Sequence, residues 1–156
     1  MMRILVFSDT HGHLDRCERL LLTIPEVDMV LHAGDHAKDA EELEQKFPNI
    51  LFHYVRGNCD FSPAPGEELL ETDGKRIFLT HGHCYHVKYD PSYETLLEKA
   101  RDEHADLAVF GHTHIPYNQH CGDLILLNPG SLTYSGTYGV VEIEEGKLRA
   151  AICNCP

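Results

Sequence analysis

Apolar runs alternate with amphipathic stretches along the first third of the chain. Arg3–Ser8 is largely apolar and contains β-branched and aromatic residues, which predicts a buried strand. From Leu14 to Ile24 the apolar side chains recur at helical spacing, and Pro25 ends this helix. The same order continues as strand, helix and strand at Asp28–His32, Ala37–Phe47 and Leu51–Val55. This β-α-β-α-β order predicts right-handed crossovers and a largely parallel sheet.

The second half of the chain predicts strands with shorter connections. Asp73-Gly74 lies between the strand-like runs Glu67–Thr72 and Arg76–Thr80 and is a strong signal for a two-residue hairpin. Leu107–Phe110 has the pattern of another buried strand. The remaining strands are predicted to be antiparallel and lie at Tyr117–Cys121, Leu124–Asn128, Tyr138–Ile143 and Leu148–Cys153.

A third helix is predicted between the hairpin and the buried strand. Asp90 suits an N-cap and Pro91 suits the first helical position, so the helix should begin there and run to about His104. Helices and strands in this order predict an α/β fold with four layers: helix, sheet, sheet, helix. No repeat or linker divides the sequence, and we expect one domain over residues 1–156.

Charge and hydropathy exclude several classes of partner. The formal net charge of −12 argues against a long nucleic acid as partner, although small phosphate esters stay compatible with it. No apolar stretch approaches the roughly 18 residues that span a membrane, and the N-terminal apolar run is too short for a signal peptide. These features predict a cytoplasmic protein.

Five short polar blocks follow strand-like runs, at the positions where an α/β fold places its active-site loops. They are Asp9-Thr10-His11, Gly34-Asp35, Gly57-Asn58, His81-Gly82-His83 and Gly111-His112-Thr113-His114. Together they supply carboxylate, amide and imidazole ligands for two divalent metals. A mixed nitrogen and oxygen ligand set suits Mn²⁺, Fe²⁺, Zn²⁺ or Ni²⁺ and argues against Mg²⁺ or Ca²⁺ alone.

Each block taken alone has a simpler structural interpretation. Asp9 and His11 would point to the same side of an extended segment and could reach one cation, but Asp9 could equally cap the following helix. Asp35 and Asn58 each follow a glycine, and such pairs are common in turns. The block that ends at His114 is the most specific of the five, and metal binding is favoured even for that block alone.

The five blocks, in this order, resemble the calcineurin-like metallophosphoesterase superfamily. The short chain and the form Gly57-Asn58-Cys59-Asp60 are similar to its small bacterial and archaeal phosphodiesterase branch. The resemblance extends from Arg3 to the last strands. It implies a four-layer αββα sandwich with two mixed β-sheets and with the metals at the loop ends of the strands.

The resemblance also implies an activity and a ligand for each position. The chain would be a dinuclear phosphoric diester hydrolase that cleaves small phosphodiesters through a hydroxide bridging two metals. Asp9, His11 and His114 would hold the first metal. Asn58, His81 and His112 would hold the second, and Asp35 would bridge the two. We expect two divalent transition-metal ions per chain, Mn²⁺ first, with Fe²⁺, Ni²⁺ or Zn²⁺ as alternatives.

The sequence departs from the family pattern at two places. Larger members carry a histidine after the asparagine, where this chain has Cys59, a poor acid for an alkoxide. His83 is our candidate for a proton donor or phosphate contact, and a solvent-facing loop histidine is the alternative. Asn128-Pro129-Gly130-Ser131 is followed by Leu132-Thr133-Tyr134-Ser135, where relatives often have a proline and a basic residue.

Other functions stay open at this stage. The same metals could serve a phosphomonoesterase or a nucleotide pyrophosphatase. A retromer subunit resembles this fold and uses its surface for protein contacts, so a binding scaffold is an alternative, and a metal buffer is a weaker one. We expect a small phosphate-ester substrate and no membrane, and we leave open a homodimer or larger homo-oligomer.

Overall fold

The computed structural model describes residues 1–156 and contains two five-stranded sheets flanked by helices. The helices are α1 (Asp15–Thr23), α2 (Ala37–Lys46) and α3 (Glu94–Asp102), and a short 3₁₀ helix covers His83–Tyr85. The strands are β1 (Met2–Phe7), β2 (Met29–His32), β3 (Leu51–Tyr54), β4 (Glu67–Thr72), β5 (Lys75–Thr80), β6 (Leu107–Val109), β7 (Tyr117–Cys121), β8 (Leu124–Asn128), β9 (Thr137–Glu144) and β10 (Lys147–Asn154). None of the helices has the length and apolar character that a membrane crossing requires.

Both sheets are mixed. The first has the order β10-β9-β1-β2-β3, in which β1, β2 and β3 are parallel and β9 and β10 are antiparallel additions. The second has the order β4-β5-β6-β8-β7, with parallel pairing from β5 through β6 to β8. The αββα sandwich with two mixed sheets predicted from the sequence is confirmed.

Three apolar clusters hold the four layers together. The central one lies between the sheets and includes Val6, Leu31, Leu79 and Leu127. A second packs α1 and α2 onto the first sheet, and a third packs α3 onto the second sheet. The inner strands of the sandwich are therefore covered on both faces, which explains why β2, β6 and β8 are buried at every position.

Two local predictions are wrong. Strand β8 was expected to be antiparallel throughout, but only β7 pairs with it in that direction, and β6 runs parallel to it. Helix α3 begins at Glu94 and not at Asp90-Pro91. The carboxylate of Asp90 instead accepts hydrogen bonds from the backbone N–H groups of Ser92 and Thr95, both at 3.2 Å, and so holds a turn ahead of the helix.

The parallel strands bring their carboxyl ends to one edge of the sandwich. Strands β1, β2 and β3 end there in the first sheet, and β5, β6 and β8 end there in the second. The loops that follow these strands carry the polar blocks found in the sequence. Because both sheets contribute loops to the same edge, residues far apart in the chain meet across it.

Candidate metal centre

Side chains with metal-ligand chemistry meet at the loop edge of the two sheets. Ligand atoms of Asp9, His11 and His114 all lie within 4.8 Å of one another, and so do those of Asp35, His81 and His112. The amide oxygen of Asn58 lies 3.1 Å from His81 Nε2 and joins the second group. The groups adjoin, because Asp9 Oδ1 lies 3.9 Å from His81 Nε2. All seven residues predicted as ligands thus lie in one cluster.

The hydrogen bonding of His81 favours a cation at this point. Its Nδ1 lies 2.7 Å from the carbonyl oxygen of Ala33, which can only accept, so Nδ1 carries a proton. In the neutral ring Nε2 then presents a lone pair, and its neighbours are acceptors too: Asn58 Oδ1 at 3.1 Å and Asp35 Oδ2 at 3.5 Å. Acceptor atoms that converge without a donor fit a divalent cation, and the Ala33 carbonyl fixes the orientation and the tautomer of the ring that would bind it.

A buried nitrogen in the other group leads to the same conclusion. Nε2 of His11 is buried and has no hydrogen-bond partner, which is costly unless something else binds it. His114 Nε2 lies 3.1 Å from Asp9 Oδ1, and Asp9 is completely buried. The donor set of imidazole nitrogens and carboxylate oxygens therefore fits a borderline divalent transition metal at both groups.

The charges of the site shift the pKa values of its histidines in opposite directions. Burial disfavours the imidazolium of His81, but the hydrogen bond to Asp35 and the charge of Asp9 outweigh burial and raise its pKa. Burial and repulsion from His81 lower the pKa of His112 to about 4. Although burial opposes it, the interaction with His81 depresses the pKa of Asp35 below its usual range. The cluster therefore draws in positive charge, as a proton or as a metal.

Asp60 shapes the loop that presents Asp35 and Asn58. Its Oδ2 accepts hydrogen bonds from the backbone N–H groups of Gly57 at 2.8 Å and Asp35 at 3.0 Å. The N–H of Cys59 in turn donates to Asp35 Oδ1 at 3.0 Å. These bonds connect the loops after β2 and β3, and sequence reasoning did not identify Asp60 because Asn-Cys-Asp carries no signal beyond a turn.

A buried polar network ties the loop after β1 to helix α2. The hydroxyl of Thr10 lies 2.6 Å from Asp39 Oδ2 and 2.9 Å from His32 Nε2. His32 Nδ1 accepts from the N–H of Gly34 at 3.1 Å, so Nε2 is the protonated nitrogen and donates to Thr10, which donates to Asp39. His32 is fully buried in this network, and burial lowers its pKa to about 4.

The segment after β8 holds the other side of the centre. Asn128 donates from its amide to the carbonyl oxygen of Gly111 at 3.1 Å and to the hydroxyl of Thr113 at 3.0 Å. The hydroxyl of Ser131 donates to the backbone carbonyl of Asp9 at 2.8 Å. Asn128 and Ser131 thus position the two loops that carry Asp9, His112 and His114 without binding a metal themselves.

Two glycines are required because the loops approach closely. A Cβ atom on Gly57 would lie 2.0 Å from Asp35 Oδ1, and one on Gly111 would lie 2.0 Å from Ser8 Oγ and 2.6 Å from Asp9 Oδ2. Real Cβ atoms do not come that close to other heavy atoms. Any side chain at Gly57 or Gly111 would therefore displace a carboxylate of the centre.

Five of the seven candidate ligands have left-handed backbone conformations. The φ angles are 55° for Asp9, 50° for His11, 45° for Asp35, 72° for His112 and 62° for His114. The expected extended segment at Asp9 and His11 is therefore wrong, and sharp loop turns bring these two side chains together. Asp9 does not cap a helix either, because Leu14 is the N-cap of α1. Such strain in non-glycine residues is typical of functional sites.

Two further side chains border the cluster. The His83 ring centroid lies 5.4 Å from that of His81 and 6.1 Å from that of His112, and His83 Nδ1 is buried without a partner. Burial and the neighbouring His81 lower the pKa of His83. Tyr134, in the stretch that departs from the family pattern, stacks on His114 with ring centroids 5.2 Å apart and 13° between the planes.

Sequence comparison identifies the same family as the motifs. The sequence model of the calcineurin-like phosphoesterase superfamily domain matches residues 2–146. A probable metallophosphoesterase of Bacillus subtilis is 38% identical over 141 residues, which cover 84% of this chain and 75% of that protein. A phosphodiesterase of Escherichia coli is 29% identical over 160 residues, which cover 85% of this chain and 80% of that protein.

Solved structures share the fold over nearly the whole chain. A predicted phosphoesterase of Streptococcus pneumoniae superposes with a TM-score of 0.80 at 28% identity, covering 98% of this chain and 89% of that one. Vps29 of Entamoeba histolytica in complex with Zn²⁺ superposes with a TM-score of 0.76 at 22% identity, covering 99% of this chain and 100% of that one. At that identity the second likeness concerns the fold alone.

Proposed function

This chain belongs to the calcineurin-like phosphoesterase superfamily, and we propose that it is a dinuclear metal-dependent phosphodiesterase acting on small phosphodiesters. The observation that carries the proposal is the cluster of seven metal-ligand side chains in two adjoining groups, in which the Ala33 carbonyl holds the proton of His81 on Nδ1 and leaves Nε2 free to bind a metal. The complete ligand set supports an enzyme over a fold that serves only as a scaffold. Membership of the superfamily itself implies a metal-dependent phosphoesterase.

The proposal assigns Asp9, His11 and His114 to the first metal. Asn58, His81 and His112 would hold the second, and Asp35 would bridge the two. When bound, two such cations supply Lewis acidity toward phosphoryl oxygens and lower the pKa of a water to near neutrality. We favour Mn²⁺ for this nitrogen and oxygen ligand set, with Fe²⁺, Ni²⁺ and Zn²⁺ as alternatives.

The chain's own groups orient these ligands. The backbone N–H of Cys59 holds Asp35 Oδ1 at 3.0 Å, which leaves Oδ2 toward His81 and the centre. The N–H of His112 donates to Asp9 Oδ2 at 3.1 Å, which leaves Oδ1 toward His114. Each carboxylate thus uses one oxygen for the scaffold and presents the other to a cation.

His83 is the side chain we assign to the substrate. Its ring borders His81 and His112, and its buried Nδ1 makes no bond within the protein. A hydrogen bond to a phosphoryl oxygen, or to the oxygen of the leaving group, would satisfy this atom. Cys59 is largely exposed, and the partial desolvation of its thiol together with the neighbouring Asp35 raises the thiol pKa, so it does not replace the missing histidine as an acid.

The first experiment compares bis-p-nitrophenyl phosphate with p-nitrophenyl phosphate, each with Mn²⁺ or after chelation. The proposal expects metal-dependent cleavage of the diester, a lower kcat/KM for the monoester, and a loss of at least 100-fold in Asp35→Asn. Glu44→Gln, which replaces a surface carboxylate on α2 by an amide in the same way, is the control and should retain wild-type rates.

The alternatives have distinct outcomes in this experiment. A higher kcat/KM for the monoester would favour a phosphomonoesterase with the same metals. No turnover of either ester, with two metal ions bound per chain, would favour the protein-binding scaffold instead.

A further inference from the structure

A cavity of about 300 Å³ lies beside the loops that present Asp35 and Asn58. Its walls include Cys59 and Asp60, the residues whose backbone and side chain hold Asp35 in place. His36, which follows Asp35 directly, forms another part of the wall. None of the seven candidate ligands lines the cavity, so it is a space beside the metal centre and separate from it.

Phe61 stands at this cavity with its side chain fully exposed to solvent. The loop that carries it is held firmly: Arg56 donates from its guanidinium to the carbonyl oxygen of Ala64 at 2.8 Å and from its backbone N–H to that of Pro65 at 2.9 Å. The hydroxyl of Ser62 accepts from the N–H of Ala64 at 3.1 Å. The loop therefore presents the phenyl ring to water, where its face is open to a flat apolar partner.

Polar groups of both kinds face the same space. Lys38 lines the cavity and makes no ion pair, unlike Lys46 and Lys99, which pair with glutamates. Glu41 also lines it, and its only side-chain bond is a 3.4 Å contact from the hydroxyl of Ser62. The cavity therefore offers a free donor and a carboxylate acceptor beside an aromatic face.

We propose that this cavity binds the nucleoside group of a nucleotide phosphodiester, with the base stacked on Phe61 while the phosphate lies at the metal centre. This inference rests on the proposed function and adds the substrate class to it. A nucleoside combines a flat ring with amino, carbonyl and hydroxyl groups that match Lys38 and Glu41. The volume lies at the lower end of the range for small-molecule pockets, which matches a group of the size of one nucleoside.

The test measures binding by calorimetry to the Mn²⁺-loaded protein, and it does not depend on turnover. Adenosine 5′-monophosphate and ribose 5-phosphate carry the same phosphate and sugar, and only the first has a base. We expect the first to bind more tightly to the wild type. Phe61→Ala should weaken its binding by roughly 5- to 150-fold, the range for one base stacked on one aromatic ring.

Matched variants separate stacking from general disturbance. Phe61→Tyr retains the ring and should bind the nucleotide within about twofold of the wild type, while ribose 5-phosphate should bind equally to all three proteins. Leu22→Ala shortens an exposed apolar side chain on α1 outside the cavity and should change the affinity for neither ligand. Lys38→Ala should weaken the binding of the nucleotide and leave the binding of ribose 5-phosphate unchanged.

Two results would overturn the inference. One is equal affinity of the wild type for both ligands. The other is an equal loss of affinity for both ligands in Phe61→Ala. Failure of the proposed function looks different, because then bis-p-nitrophenyl phosphate is not cleaved at all, whatever the cavity binds.

Discussion

At the scale of single residues, the centre depends on side chains that never touch a metal. Asp60 and Asp39 are carboxylates that accept hydrogen bonds from backbone N–H groups of loops carrying candidate ligands. The sequence predicted the ligands because their residue types and their positions after strands are local features. It did not predict Asp60 or Asp39, because their partners are brought near by the fold and leave no local pattern.

Thr10 allows one such supporting contact to be measured. Thr10→Val keeps the shape of the side chain but leaves the N–H of His32 unpaired and removes a donor from the buried Asp39. We expect the free energy of unfolding of the metal-free protein to fall by about 2–3 kcal/mol, as for a lost bond to a buried charge. Denaturant unfolding measures this, and Thr10→Ser, which retains the hydroxyl, should lose less than half as much.

His83 can be tested through the leaving group. If its buried nitrogen protonates the departing oxygen, His83→Ala should lower kcat at least tenfold more for an alkyl ester than for a nitrophenyl ester, because nitrophenolate needs no proton. Steady-state kinetics on a methyl and a nitrophenyl diester make the comparison. Equal losses on both would assign His83 to binding a phosphoryl oxygen.

At the scale of elements, strands and helices with strong local signals were predicted to within a residue or two. The hairpin of β4 and β5 and the strands β7 and β8 lie where the pattern of apolar residues and turn signals placed them. The parallel pairing of β6 with β8 was missed because β7 lies between them in the sequence. Strand β7 forms an antiparallel hairpin with β8, and only that pairing has a local signal. The start of α3 was missed because an aspartate such as Asp90 accepts hydrogen bonds from nearby backbone N–H groups both in a turn and at a helix N-cap.

The hairpin between β9 and β10 has a turn that is not optimal. Glu145 and Gly146 form it with φ angles of 51° and 75°, and Glu144 pairs with Lys147 across it. Asparagine adopts this left-handed conformation more readily than glutamate, so Glu145→Asn should raise the free energy of unfolding by about 0.5–1 kcal/mol. Denaturant unfolding checks this. Glu144→Asn removes the same charge from the strand, and an equal gain there would show that charge was responsible.

At the scale of the whole molecule, two sheets from distant parts of the chain are joined at their loop edge by the candidate metals. Asp9 and His11 follow a strand of the first sheet, and His114 follows a strand of the second. The second group likewise combines Asp35 and Asn58 from the first sheet with His81 and His112 from the other. Metal binding should therefore stabilise the sandwich as one unit.

Thermal unfolding measures this coupling. A metal present at 100 times its Kd stabilises the folded state by about 2.7 kcal/mol per site, and for a chain of this size that corresponds to roughly 5–10 °C in Tm. We expect Mn²⁺ to raise Tm by at least this much relative to chelator-treated protein. Asp35→Asn should show a smaller rise, and an identical rise in that variant would contradict its role as a bridge.

The left-handed conformations of five candidate ligands place catalysis and folding in opposition. Each such conformation costs about 1 kcal/mol, so the five together lower the free energy of unfolding by about 5 kcal/mol. That is a large part of the free energy of unfolding of a typical domain, about 5–15 kcal/mol. Glycine at His112 would relieve part of this strain and would remove a candidate ligand at the same time. The geometry that the proposed reaction needs is therefore held at the expense of folding stability.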